Sequence, residues 1–372
     1  MRFRSAGKAM SGATMCSCWL LMTGTIGMHL SATEYQNSSG SLIRGTSCLQ
    51  SVEEDCGNPE ALQSGAADNA GLRQRRPAEL HFKDKKQVVL VAGSASHRFG
   101  EHEHYAGCRL LADRINRNLP GLHAMVSRDG WPEDPTAFDH ADAIIFYCDG
   151  GSGHPVNDHL QTVREWIPSG VGLGAIHYAV EVPKGEPGSL FLTGWGGYFE
   201  TFWSVNPHWK ALIKRLPTHP LTRGVRPFSI QDEWYYHMRF RPQMEGLVPI
   251  LIATPPESTR LRGIGARGSN EHVRERTGVA EYLMWAYQRA GGGRGFGFTG
   301  GHVHWNWAHD SYRKLVLNAI VWTAGMEVPE EGIPSETPSL EELIRYQDEP
   351  VPEGFDFSQI EMLLQGLSLI HI

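Results

Sequence analysis

The chain has 372 residues, with 34 Lys plus Arg against 41 Asp plus Glu and a formal net charge of -7. That mild negative balance excludes the basic stripe that nucleic acid needs, and six Cys in this length exclude a disulfide scaffold. Histidine stands out, with 18 residues beside 11 Trp and 42 Gly, which points to imidazole chemistry next to a flat or sugar-like ligand.

Residues 1–32 read as an export signal, with Arg2, Arg4 and Lys8 ahead of a modestly apolar run from Ala13 to Gly27. An exported, periplasmic protein is the expectation; a mis-assigned start codon would make it cytoplasmic. Residues 33–85 are rich in Ser, Gly, Asn, Glu and Gln and read as a disordered spacer, in which Cys48 and Cys56 could pair. No later apolar run approaches the roughly 20 residues of a spanning helix.

Regular structure is expected to begin at Gln87. "QVVLVAG" is a short apolar run ending in Gly, the pattern of a strand buried on both faces. "YAGCRLLADRINRNL" then places Cys108, Leu111, Ile115 and Leu119 at helical spacing. A short strand near His123–Val126 follows, then buried strands in Ala141–Gly151 and Gly170–Ala179, with the helical "VNDHLQTVREWI" between them. Alternating strands and helices predict an α/β protein: a three-layer, doubly wound, mostly parallel sheet.

Later, Phe228–Phe240 and Leu247–Thr254 read as strands, and Gly278–Gln288 with Gly295–Thr299 as an antiparallel pair. "SYRKLVLNAIVWTAG" is a final helix stopping at Gly325. Together, 86–326 form the expected domain. Residues 327–372 are a Pro-rich exit and short tail. The terminal "LSLIHI" at 367–372 matches the translated end of a common sequencing-library transposon, or is an ordinary apolar tail.

In an open parallel sheet, ligands bind outside the carboxyl ends of the strands. That rule selects His97, His102 and His104 after the first strand, Asp149 and His154 after the next, His177, and then His302 and His304. His177 lies where a buried strand turns sharply, a place where nucleophile-elbow enzymes carry Ser or Cys; an imidazole there suits a metal ligand or general base. Gly150 and Gly151 form a turn whose N–H groups could face a sugar hydroxyl, or simply a turn needing positive φ. In "QDEWYYHMRF", strand alternation puts Glu233, Tyr235 and His237 on one face, opposite Asp232. Trp195, Trp203, Trp209, Trp234, Trp305 and Trp307 would suit stacking on pyranose rings, or plain core packing. No P-loop, Cys-x-x-Cys or His-Glu-x-x-His pattern occurs. A nucleotide cofactor is therefore not expected, and any metal site must be assembled from distant segments.

From about Lys86 to Gly325 the sequence resembles the ThuA-like, trehalose-utilisation family. The segments that carry the resemblance are "VVLVAGSASH", "ADAIIFYCDGGSGH", "GVGLGAIHYA", "THPLTRGV", "DEWYY" and "GRGFGFTGGHVHWNW", in that order. The resemblance implies a class I glutamine amidotransferase-like, flavodoxin-type fold and a role in carbohydrate catabolism. Without a Cys at the elbow the glutaminase reaction is not expected, and Cys148 is read as a buried strand-end thiol.

His177, Glu233 and His302 are accordingly the expected catalytic and metal-holding residues, with His154 or His304 as a further candidate ligand and a divalent ion, zinc by preference. His97, Gly150, Gly151, His154, Tyr235, His237, His304 and Trp305 are the expected substrate contacts. The expected partner is a small-molecule carbohydrate, a glycoside or its 3-keto derivative, processed by hydrolysis, isomerisation or elimination; an oligomer is compatible with the sequence. The alternative is a non-catalytic sugar-binding protein of the same fold.

Overall fold

The structure is a computed structural model that describes residues 84–261, 263 and 265–366. The expected leader, almost all of the spacer with Cys48 and Cys56, and the 367–372 tail lie outside the described residues.

The first half alternates as expected: β1 (Lys86–Ala92), α1 (His104–Asn118), β2 (Leu122–Ser127), β3 (Ala143–Tyr147), α2 (Leu160–Trp166), β4 (Gly172–Ile176) and α3 (Glu186–Gly194). Then come β5 (Gly197–Tyr198), β6 (His208–Ile213), β7 (Phe228–Glu233), β8 (Arg239–Phe240), β9 (Leu247–Ala253), α4 (Glu257–Leu261) and α5 (Glu271–Arg274). The chain continues through β10 (Glu281–Gln288), β11 (Arg294–Phe298), α6 (Asp310–Thr323), α7 (Leu340–Ile344) and α8 (Ser358–Leu364). Among the described residues no helix is long and apolar enough to cross a membrane.

The main sheet has the order β2-β1-β3-β4-β11-β10-β9. Its first five strands run parallel, and β10 is antiparallel to both neighbours. β1 shows why the sheet is covered on both faces. Val88, Leu90 and Ala92 enter one apolar cluster with α1 and α6, while Val89 and Val91 enter another with α2 and α3. The order reverses between β1 and β3, which opens a crevice at their carboxyl ends.

The second half departs from expectation at two points. The strand expected over Phe228–Phe240 is broken: β7 stops at Glu233, and His237, at φ 58°, turns the chain before β8. β6, which sequence reading passed over, pairs antiparallel with β7 and buries Trp209, Ala211 and Ile213 on alternate positions. The resulting hairpin brings Glu233 and His208 opposite each other.

Candidate functional site

Four loops at the carboxyl ends of β1, β3, β4 and β11 converge, and the end of β7 joins them. After β4 the chain enters a short 3₁₀ turn, His177–Val180, with His177 at φ 56°. Gly301 lies directly behind it at φ 114°, where an added Cβ would come within 3.2 Å of the His177 Cβ. Both the backbone sign and this close approach call for glycine. His102, after β1, also has a left-handed backbone, at φ 50°; its amide donates to the His302 carbonyl at 3.1 Å, joining the β1 and β11 loops.

His102, His177, Glu233 and His302 each offer one donor atom, and these four atoms lie within 4.8 Å of one another. His177 Nε2 is 3.0 Å from His102 Nε2 and 3.4 Å from Glu233 Oε2, which is 3.3 Å from His302 Nδ1. Four donors bonded at about 2 Å in a tetrahedron are about 3.3 Å apart, so these edges match a zinc-sized site.

Hydrogen positions on the two facing imidazoles follow from their outer partners. His102 Nδ1 donates to Asp149 Oδ1 at 2.9 Å, and His177 Nδ1 donates to the Thr299 carbonyl at 3.0 Å. Both acceptors lack a proton of their own, so each neutral ring turns an Nε2 lone pair towards the other. Tyr235, its hydroxyl 3.3 Å from His177 Nε2, is a donor close to that pair. His302 Nδ1 is buried without a hydrogen-bond partner, its Glu233 contact lacking hydrogen-bond alignment. Facing lone pairs and an orphaned ring nitrogen fit a cation. The outer acceptors are the kind that orient metal-bound histidines.

Burial and charge pairing oppose each other across the cluster, and burial prevails at some groups only. Desolvation pushes His102 far below its ordinary value despite Asp149, and lowers His97 as well. Desolvation would raise Glu233, but the contacts with His177 and His302 outweigh it and hold the carboxyl well below the usual range. His302 is pulled down by desolvation, yet Glu233, Asp232 and Glu101 leave it above 6.5. Tyr235 is pushed well up by burial and then by Glu233, so its phenol keeps its proton.

A second ring of residues holds the donors in place. Asn206 Nδ2 donates to Glu233 Oε1 at 3.0 Å, and His208 Nε2 is 3.8 Å from the same oxygen. Asp232 is fully buried, and its carboxylate accepts from the Gly301 and Val303 amides at 2.9 and 3.2 Å, from Asn306 at 3.0 Å and from Tyr312 at 2.5 Å. Asp232 therefore fixes the turn that carries His302 from the position next to Glu233.

Of the expected residues, His177, Glu233 and His302 are brought together, Tyr235 touches them, and exposed His97 stacks on His102 at 3.6 Å between ring centroids. Others are not. His154 is buried between Phe146 and Phe191, with Nε2 donating to Ala179 O and Nδ1 accepting from Val156 N, so no ring nitrogen is left for substrate. His304 is fully buried and points to the Leu343 carbonyl. His237 stacks on Trp203 because its positive φ takes it off the β7 face.

Trp305 packs on Phe99 and Phe355 rather than on the cluster. Gly150 and Gly151 serve the turn: an added Cβ at Gly150 would meet the Tyr178 carbonyl at 2.1 Å, and the Gly151 amide is already given to Glu181 O. Trp195, Trp209, Trp234 and Trp307 are core residues, which leaves Trp203 as the partly exposed one near the rim. Cys148 is a buried thiol pushed well up by desolvation.

Strand-end position marks His102 and Asp149 without placing them at the centre; the alternation that sets Asp232 opposite Glu233 holds, but it does not reveal that Asp232 anchors the turn carrying His302. The available signal was the β1/β3 switch point, which singles out the loops carrying His102 and Asp149 over other strand ends.

Among solved structures the chain is similar to a ThuA-like protein from Parabacteroides merdae, at 14% identity and TM-score 0.45 over 71% of this chain and 100% of that one. It is also similar to a ThuA-like protein from Bacteroides uniformis, at 15% identity and TM-score 0.42 over 64% and 91%. A glutamine amidotransferase from Thermotoga maritima matches at 9% identity and TM-score 0.35 over 64% and 96%. No curated protein matches the chain. The family described as ThuA, trehalose utilisation, matches residues 89–323, and the chain belongs to that family.

Proposed function

We propose that the protein is a carbohydrate-active enzyme in which His102, His177, Glu233 and His302 hold a divalent ion, zinc by preference. Its substrate class is a disaccharide or other glycoside, or the 3-keto derivative of one. The observation that carries this reading is the pair of lone pairs facing each other at 3.0 Å between His102 and His177, an arrangement that a cation relieves. When bound, such an ion supplies Lewis acidity towards a sugar carbonyl or hydroxyl.

The chain's own groups supply the rest. His97 is the exposed imidazole at the mouth of the cluster, placed to accept a proton from substrate. Tyr235 holds its proton beside His177 and stabilises negative charge developing there. Asn206 fixes the Glu233 carboxylate from the outer side. A 3-keto sugar suits this equipment: the ketone acidifies the neighbouring C–H, so one base and one electrophile suffice.

The test is metal analysis of the purified protein, followed by assays of trehalose and 3-keto-trehalose with and without chelator. Zinc near one equivalent and turnover abolished by chelator are expected. Turnover by a metal-free preparation would sink the metal role. Sugar affinity that survives His177→Ala and His302→Ala, without turnover in any form, would mark a binding protein instead.

A further inference from the structure

The family match ends at Thr323, yet the chain beyond it is tied to the loop that presents His102. Three contacts make the connection, all from Ser339–Asp348. Arg114 on α1, only 2% exposed, forks onto both carboxylate oxygens of Glu342 at 2.9 and 3.1 Å. His304 donates through Nε2 to the Leu343 carbonyl at 2.8 Å, while its own amide donates to the Gly100 carbonyl at 2.9 Å. Glu103, next to His102 and 2% exposed, accepts from the Gly100 amide at 3.0 Å with one oxygen and from the Asp348 amide at 2.8 Å with the other.

These ties bracket His102. Glu103 closes the loop from one side of it to the other, and α1 starts immediately afterwards at His104. His102 itself, at φ 50°, has a backbone that a β-carbon disfavours and that persists only where the surroundings hold it. α7 is a dependable anchor, because Ser339 and Glu342 form a reciprocal capping box. Glu342 thus serves the helix and the Arg114 fork together.

We propose that Ser339–Asp348 is a strap that positions His102, with Glu103 as the positioning residue that couples the two. Releasing the strap loosens the cation site without altering any of its donor atoms. This rests on the metal reading above, so the test includes a measurement that does not need metal.

The full chain is used, with zinc affinity measured by competition with a chromophoric chelator, and amide hydrogen exchange followed in the metal-free protein. Glu103→Gln and Glu342→Ala are expected to weaken zinc binding about tenfold and to speed exchange at the Gly100 and His102 amides. In a His102→Ala background neither change should weaken zinc further, because the strap acts through His102; a general loss of stability would add to it. If the wild-type chain binds no zinc, the metal reading fails and the exchange comparison alone decides the strap. Unchanged exchange in both variants, or a further loss of affinity in the His102→Ala background, would overturn it.

Discussion

His102 and His177 face each other through Nε2 atoms 3.0 Å apart, each ring oriented by an oxygen acceptor on its far side. The acceptors differ in kind. Thr299 offers a main-chain carbonyl, whereas Asp149 offers a charged side chain that can be replaced.

Asp149→Asn should therefore weaken the cation site while leaving its donors in place. The amide can present an N–H to His102 Nδ1 and favour the opposite tautomer. Loss of such an outer partner costs about 10–100-fold in metal affinity. Zinc titration of the variant checks this, with unchanged far-UV circular dichroism as the control.

Asp232→Asn tests the turn that carries His302. The fully buried carboxylate accepts from three main-chain amides, those of Glu233, Gly301 and Val303, and from Asn306 and Tyr312, so an NH2 in place of one oxygen must meet donors. A stability loss of about 2–3 kcal/mol is expected from the mismatched buried groups. Urea denaturation of the metal-free protein gives the number, and a loss below about 0.5 kcal/mol would contradict the role.

The pH dependence of zinc binding follows from His302. Its folded value lies above 6.5, so the protonated ring favours the metal-free fold fully below pH 6.5, and that contribution fades as pH rises through the folded value. Zinc competes with this proton. Affinity should rise with pH across that window, by up to about tenfold per unit for one displaced proton, and then level off. Affinity independent of pH between 6 and 8 would count against His302 as a ligand.

His154 predicts acid sensitivity of the fold. Burial lowers it from 6.5 to about 3, and both ring nitrogens are engaged in the neutral form. Between those values the unfolded chain binds the proton and the folded one does not, so stability falls as pH falls. The slope attributable to this residue approaches about 1.4 kcal/mol per pH unit. His154→Gln, which keeps an amide donor for Ala179 O, should flatten the stability profile by about one proton.

Much of this site was legible from strand ends. The short apolar runs around Val88–Val91, Ile144–Phe146 and Leu173–Ile176 identify parallel strands, the first two leading into glycines, and the crevice rule then points to His177 and His302. Glu233 and Tyr235 follow from alternation, which holds to the end of β7 and two residues past it, so that both reach His177. It fails at His237, where the backbone turns left-handed and no residue pattern announces it. His97, His102 and His104 could not be ranked by spacing, because a loop has no period. His154 and His304 misled for a different reason: a strand-end histidine also caps a turn or holds a stray carbonyl, and only tertiary contacts reveal which.

The four donors come from four well-separated stretches of sequence, at 102, 177, 233 and 302. An ion gripping all of them would close three long loops at once, as a set of cross-links would. Closure of long loops removes more freedom from the unfolded chain than closure of short ones. Binding would then register the integrity of the fold across residues 102–302, since no shorter contiguous stretch of the chain carries the complete donor set. Thermal unfolding with added zinc should accordingly shift as one cooperative transition.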